Sequence, residues 1–350
     1  MISQVTASSA SGQAPIAMTP AFASASATSA TPPAPSHAVR RLFDGPCVEL
    51  DDGQIVCSTE DDAQGCRFEP VRAGSVAPMG DSLCALSLSG QALSLHGLGC
   101  DWDAKAERFV PPLLKGQMFS CRHELDASVS CFLEGKPPRT MLKQVRMLGG
   151  GVGFFCALRV KGDVWCWGEN DEGGLGDGHS YRTERPVRVK LWQTADEIAV
   201  GSQHACARFG NGVVVCWGEH SRGQLGIGHL PSPGDIPEPG SPAEYLNPQT
   251  VQALPPVASI QALGAETCAL TRSGEVYCWG ELWDAQRRDA VPVASPRLLT
   301  GLPRVEELEL GTTSCARSGG EVFCWGDACP FTQIGEFVDR PTRVEWAVSP

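Results

Sequence analysis

A formal net charge of −12 over 350 residues argues against DNA or RNA as a partner, because phosphate recognition needs a concentrated positive surface. The hydrophobic fraction of 42% suffices for a core, yet no stretch approaches the roughly 20 apolar residues of a membrane-spanning helix. No cofactor or metal is expected, the expected partner is a protein, and the expected state is a monomer.

In chain order, residues 1–38 read as a disordered leader or tether and 39–350 as a single domain. Met1 to Ser36 is rich in Ala, Ser, Thr and Pro, and such a segment buries too little apolar surface to order itself. It has neither the charged start nor the apolar run of a signal peptide. An export signal upstream of Met1 is therefore an expectation that mapping the mature N-terminus would test.

From residue 47 onward a unit repeats. Its clearest copies run from Cys156 to Gly168, Cys206 to Gly218 and Cys268 to Gly280, each a Cys followed after nine residues by Cys, Trp and Gly. Seven starts can be aligned, at Cys47, Cys84, Cys121, Cys156, Cys206, Cys268 and Cys315, separated by 35 to 62 residues. That period suits propeller blades, in which each four-stranded sheet buries its faces against its neighbours. The expected fold is all-β, a seven-bladed propeller of four-stranded antiparallel blades.

Within each unit the apolar alternation predicts a hairpin, with strands over Cys156 to Arg159 and Asp163 to Trp167. A three-residue loop then sets Cys156 opposite Cys166. The loop position needing a left-handed conformation holds Gly53, Gly90, Gly162, Gly212 and Gly274, with Ala127 as the misfit. The last hairpin is one residue shorter, and the dipeptide Gly319 and Gly320 restores the same opposition through a type I′ turn. Six cross-strand disulfides are predicted: Cys47 with Cys57, Cys121 with Cys131, Cys156 with Cys166, Cys206 with Cys216, Cys268 with Cys278, and Cys315 with Cys324. Buried reduced thiols and metal ligation are the alternatives, the latter disfavoured because Trp and Gly follow each second Cys. Oxidised pairs imply an extracellular or envelope location, with the cytoplasm as the alternative.

The stretches Pro186 to Gly228 and Val257 to Gly280, with Gly173, Leu175, Gly176, Gly178 and their copy Gly223, Leu225, Gly226, Gly228, resemble regulator of chromosome condensation repeats. The resemblance covers about residues 39 to 346 and is weaker in the first three repeats. It implies a seven-bladed propeller. Founding members are nuclear exchange factors for a small GTPase that dock on chromatin, whereas the cysteine pairing here is nearer to secreted bacterial repeat proteins, some of which bind and inhibit other proteins. Departures are Ser94 in place of a second Cys, and the missing Trp of the first and third repeats.

Closure is expected by pairing of the chain ends, with Arg340 to Trp346 completing the first blade beside Val39 to Phe43. Cys66, Cys84, Cys100 and Cys329 fall outside the register. They allow three connectivities, with a bridge between blades favoured over a zinc site. Two insertions follow Trp and Gly strands, Gly228 to Asn247 and Leu282 to Ala290. Trp283 with Arg287 and Arg288 forms a candidate interaction loop, against the alternative that Trp283 packs on its own blade.

Catalytic readings are weaker. His179, His204 and His229 occupy repeat positions, Gly149 to Gly153 leads into a strand rather than a helix, and Asp171, Glu172 and Asp177 miss the spacing of a calcium loop. The expected function is noncatalytic protein binding. The alternative is enzyme regulation, such as guanine nucleotide exchange or inhibition of another enzyme.

Overall fold

The computed structural model describes residues 38–43, 47–51, 55–61, 65–70, 77–79, 82–86, 92–96, 101–103, 108–110, 114–115, 119–133, 136–231, 244–284, 287, 289–311, 313–326 and 338–344. The leader at 1–37 lies outside them. Among the described residues the chain is all β apart from one 3-10 helix, Glu244–Leu246.

Each sheet is built from strands consecutive in sequence and antiparallel to their neighbours. The fourth sheet sets the pattern, with a leading strand Val145–Gly150, a second strand Phe154–Arg159, a third Val164–Gly168 and a fourth Thr183–Arg188. The second and third strands carry the cysteines, and the third ends on Trp and Gly. The fifth sheet (Ala195–Val200, His204–Phe209, Val214–Gly218, Gln249–Thr250) and the sixth (Val257–Leu263, Glu266–Thr271, Val276–Asp284, Asp289–Leu298) repeat it. The last, which begins at Glu307, does so too, and the first and third, which begin at Val39 and Leu114, repeat the strand order without the Trp and Gly.

The second repeat departs from the expected four strands. It gives a three-stranded sheet (Ala77–Met79, Ser82–Leu86, Ala92–His96) followed by a separate ribbon, Asp101–Asp103 with Arg108–Val110. Cys84 lies opposite Ser94 there. The Cys, Trp and Gly run of the last four repeats is replaced here by Ser94, Leu95, His96 and Gly97.

The expected exchange of strands between chain ends is corrected. Val338–Arg343 pairs with Glu321–Gly326 of its own sheet, Thr342 opposite Cys324, while Val39–Phe43 pairs with Cys47–Leu50. The reason lies in the phase of the repeat. The Pro and Val strand belongs to the Trp and Gly strand before it, as Val187 opposite Cys166 shows. The ends nonetheless meet through packing: Val39, Leu42, Val48 and Leu50 share one buried cluster with Val322, Cys324 and Val344. The Val39 amide donates to the Gly320 carbonyl at 3.0 Å.

The hairpin turns follow the sequence reading in backbone terms. Gly162, Gly212 and Gly274 have φ of 83°, 89° and 89°, and Gly319 and Gly320 have 57° and 89°. Ala127 adopts the same region at φ 60°, held by its amide on the Glu124 carbonyl and by its carbonyl accepting the Val145 amide. A Cβ in this region costs about 1–2 kcal/mol. Ala127→Gly is therefore expected to raise stability by about 1 kcal/mol. Gly162→Ala should lower it, since the new Cβ would stand 2.6 Å from Thr194 Cβ. Urea denaturation of both variants checks the pair, and a lower midpoint for Ala127→Gly would contradict it.

Candidate interaction face

The repeat brings its cysteines face to face. Cys121–Cys131, Cys156–Cys166, Cys206–Cys216, Cys268–Cys278 and Cys315–Cys324 are disulfide-bonded, with Cα atoms 4.0–4.2 Å apart. Directly opposed residues of an antiparallel pair approach this closely where no hydrogen bonds join them. Cys47 and Cys57 are register partners, but their side chains lie outside the described residues, as do those of Cys66 and Cys84 and the whole of Cys100 and Cys329. Cys66 sits in a strand opposite Glu60.

Third strands end, and the connections to fourth strands begin, at one end of each sheet. In the fourth and fifth sheets that connection is a tight Gly-Leu-Gly tail folded over a polar clamp. Asn170 Nδ2 donates to the carbonyls of His179 (2.7 Å) and Tyr181 (3.3 Å), and its Oδ1 accepts the Leu175 amide at 2.9 Å. His220 does the same work one sheet on: Nε2 donates to the His229 carbonyl at 2.7 Å and Nδ1 accepts the Leu225 amide at 3.2 Å. Both roles together require the neutral ring with its proton on Nε2, and burial holds the His220 pKa below the usual value. The sequence reading missed these clamps, although both residues follow the same Trp, Gly and Glu.

Each tail wraps the tryptophan of the next sheet. Trp217 Nε1 donates to the Gly174 carbonyl at 2.9 Å, and Trp279 Nε1 to the Gln224 carbonyl at 2.8 Å. A Cβ on Gly176 would lie 2.8 Å from Trp217 Cδ1, so the tail glycine is required by close approach. The sixth sheet has no such tail, and Trp325 of the last sheet is only half-buried while Trp217 and Trp279 are fully buried.

The insertion at Leu282 to Ala290 is paired along both sides, with Arg287 in the turn between them. Leu282 pairs with Val291, Trp283 with Ala290 and Asp284 with Asp289, so the sixth sheet's outer hairpin extends beyond its neighbours. Pairing satisfies the backbone that a loop would leave to solvent. Trp283 is 41% exposed and Arg287 is exposed at the tip; Arg288 lies outside the described residues. Of the Gly228 to Asn247 insertion, 232–243 lie outside them. Its return is anchored by Tyr245, whose ring stands 5.1 Å from His220, and by the Leu246 carbonyl, which accepts the Gly178 amide at 3.0 Å.

Two titratable groups lie inside the repeat. His204 is fully buried with Nε2 2.7 Å from Thr267 Oγ1 of the next sheet, and burial lowers its pKa to about 4. Glu266 occupies the equivalent place one sheet on, with Oε1 3.3 Å from Cys268 Sγ, and burial raises its pKa to about 7. Glu266, Cys268 and Cys278 form the one group with metal-ligand spacing among the described residues. The disulfide occupies both sulfurs, which leaves a lone carboxylate and no thiolate to bind a metal.

Two models of the regulator of chromosome condensation (RCC1) repeat match residues 161–208 and 196–224. No curated protein sequence matches the chain. Among solved structures it is similar to yeast RCC1 (Prp20) bound to Kap60, at 20% identity and a TM-score of 0.57, covering 82% of this chain and 79% of that one. Prp20p from Saccharomyces cerevisiae, studied for its binding to Gsp1p and histones, gives 18%, 0.57, 88% and 88%. Human WBSCR16 gives 17%, 0.57, 82% and 88%.

The buried pair sets opposite pH dependences. The folded pKa of His204 lies below the ordinary 6.5, so its contribution is present above that value and is lost as pH falls towards about 4. Glu266 has a folded pKa above the ordinary 4.5, so its contribution is present below that value and is lost as pH rises through about 7. Glu266→Gln is expected to raise Tm near pH 8 relative to the parent and to leave it little changed near pH 4. Calorimetry across that range is the check, and an unchanged Tm near pH 8 would contradict the assignment.

Proposed function

We propose, from the regulator of chromosome condensation repeats matched over residues 161–208 and 196–224, a noncatalytic protein-binding scaffold, a closed seven-bladed propeller that works in the cell envelope or outside the cell. The observation that carries the binding role is the placement of both insertions, with exposed apolar side chains, at one end of the sheets. Val152, Tyr181, Leu230, Leu263 and Trp283 are 38–63% exposed, and all lie where third strands end or second strands begin. Both insertions emerge at that same end. Exposed apolar side chains on a rigid scaffold, rimmed by polar residues, are what a protein partner buries.

At the opposite end the exposed Leu125, Val160 and Val213 are single residues flanking hairpin turns, and Trp192 packs edge-on against Phe209 at 5.2 Å. Seven aligned repeats and the packing of the first sheet on the last support ring closure. Five disulfides among the described residues support export, since reducing compartments keep thiols free. Protein binding also suits the fold neighbours, Prp20p being studied for binding to Gsp1p and histones, which is support at the level of fold.

Affinity capture with the full chain, followed by binding measurements, tests the reading. Trp283→Ser and deletion of 232–243 are each expected to weaken a captured partner at least about tenfold, the loss typical of an interface hot spot. Nucleotide release from a small GTPase, undiminished by either change, would favour the regulatory alternative. Mass spectrometry of unreduced peptides should find Cys156 linked to Cys166; free thiols throughout would remove the argument for export.

A further inference from the structure

The leading strands of the last four sheets each carry one long polar side chain that crosses to the leading strand of the next sheet. Arg146 Nη2 donates to the carbonyls of Ala195 (3.1 Å) and Asp196 (2.6 Å). Glu197 Oε1 accepts the Ile260 amide at 3.3 Å. Gln261 Nε2 donates to the Leu308 carbonyl at 2.8 Å, and its Oε1 accepts the Leu310 amide at 2.5 Å. The series has a fourth member: Glu307 Oε2 accepts the Leu42 amide at 2.7 Å. By position in the chain the first three links join successive sheets, and the fourth joins the last sheet to the first.

Two of the four share a support. Glu197 stands opposite Arg208 in register and takes its Nε at 2.7 Å. Glu307 stands opposite Arg317 and takes its Nε at 3.1 Å, while Arg317 also pairs with Glu306. In both sheets the arginine is the second residue after the first Cys. A carboxylate fixed by a guanidinium accepts a backbone amide in a charge-assisted bond, stronger than a neutral one. Neither side chain lies on a strand shared between sheets, so the joint forms without exchange of the chain ends.

We propose that Glu307, positioned by Arg317, is the clasp that closes the ring, its carboxylate holding the Leu42 amide where other closed sheets would share a strand. The inference rests on the closed-ring reading and adds its mechanism. The seam between last and first sheets is then a local joint, openable without unfolding either sheet. The Val39 to Gly320 bond and the apolar cluster around Leu42 hold the rest of it.

Hydrogen exchange on the intact, oxidised chain tests this. Glu307→Ala is expected to speed exchange of the Leu42 amide at least about tenfold, the scale of one charged hydrogen bond, and to leave the Ile260 amide unchanged. Glu197→Ala should do the reverse. Glu307→Gln keeps an acceptor oxygen and should retain most of the Leu42 protection. A Leu42 amide slow in the parent and equally slow in Glu307→Ala would overturn the clasp while leaving the ring. A Leu42 amide already fast in the parent would overturn the ring and the clasp with it. Acceleration spread over all sheets in Glu307→Ala would also overturn the local joint. Should that variant not fold, Glu307→Asp, whose carboxylate stops one methylene short, reads the same amide.

Discussion

Everything in this fold follows from the need of each sheet to bury two faces, and the repeat solves it with one asymmetric contact. The cysteine face of one sheet packs against the alanine and tryptophan face of the next. Cys121 and Cys131 share a buried cluster with Ala157 and Trp167, Cys156 and Cys166 with Ala205 and Trp217, and Cys206 and Cys216 with Ala269 and Trp279. Cys268 and Cys278 meet Ala316, with Trp325 packed at the edge. A cross-strand disulfide is flat and small, alanine adds little height, and so a large indole fills the gap without voids. Burial of this kind stabilises the fold by roughly 1.5–3 kcal/mol per large side chain.

That contact leaves polar groups that have to be satisfied at the edges, and the tails do so. The buried indole N–H of Trp217 or Trp279 reaches a carbonyl in the preceding tail, and the tail is itself held by Asn170 or His220. His204 and His220 are buried inside this packing, and burial holds the pKa of each below the usual value. His204 and Glu266 show the limit of the device. Each occupies the same repeat position, yet only His204 finds a hydroxyl on the next sheet, while Glu266 faces a disulfide.

Distinctive surface arises where the repeat is broken. The sixth sheet replaces its tail with a long paired hairpin bearing Trp283, and the covering of Trp325 is lost with it. The second repeat has Ser94 opposite Cys84, and among the described residues its sheet has three strands. Regular positions answer to packing, whereas irregular ones are free to answer to a partner.

Much of this was legible in the chain itself because it depends on neighbours in sequence. The spacing of Cys156 and Cys166 implies a hairpin of one loop length, and Gly162 or the Gly319 and Gly320 pair declares the turn. Even the misfit Ala127 could be located, though not its φ of 60°. Period alone supported the propeller. What the sequence could not decide were contacts between residues far apart: that the Pro and Val strand closes its own sheet rather than the first one, that Leu282 to Ala290 pairs instead of looping, and that Leu42 meets Glu307 across the chain. Strand alternation specifies which face is apolar but not which edge is filled, and the choice falls to whichever arrangement leaves no backbone amide unpaired.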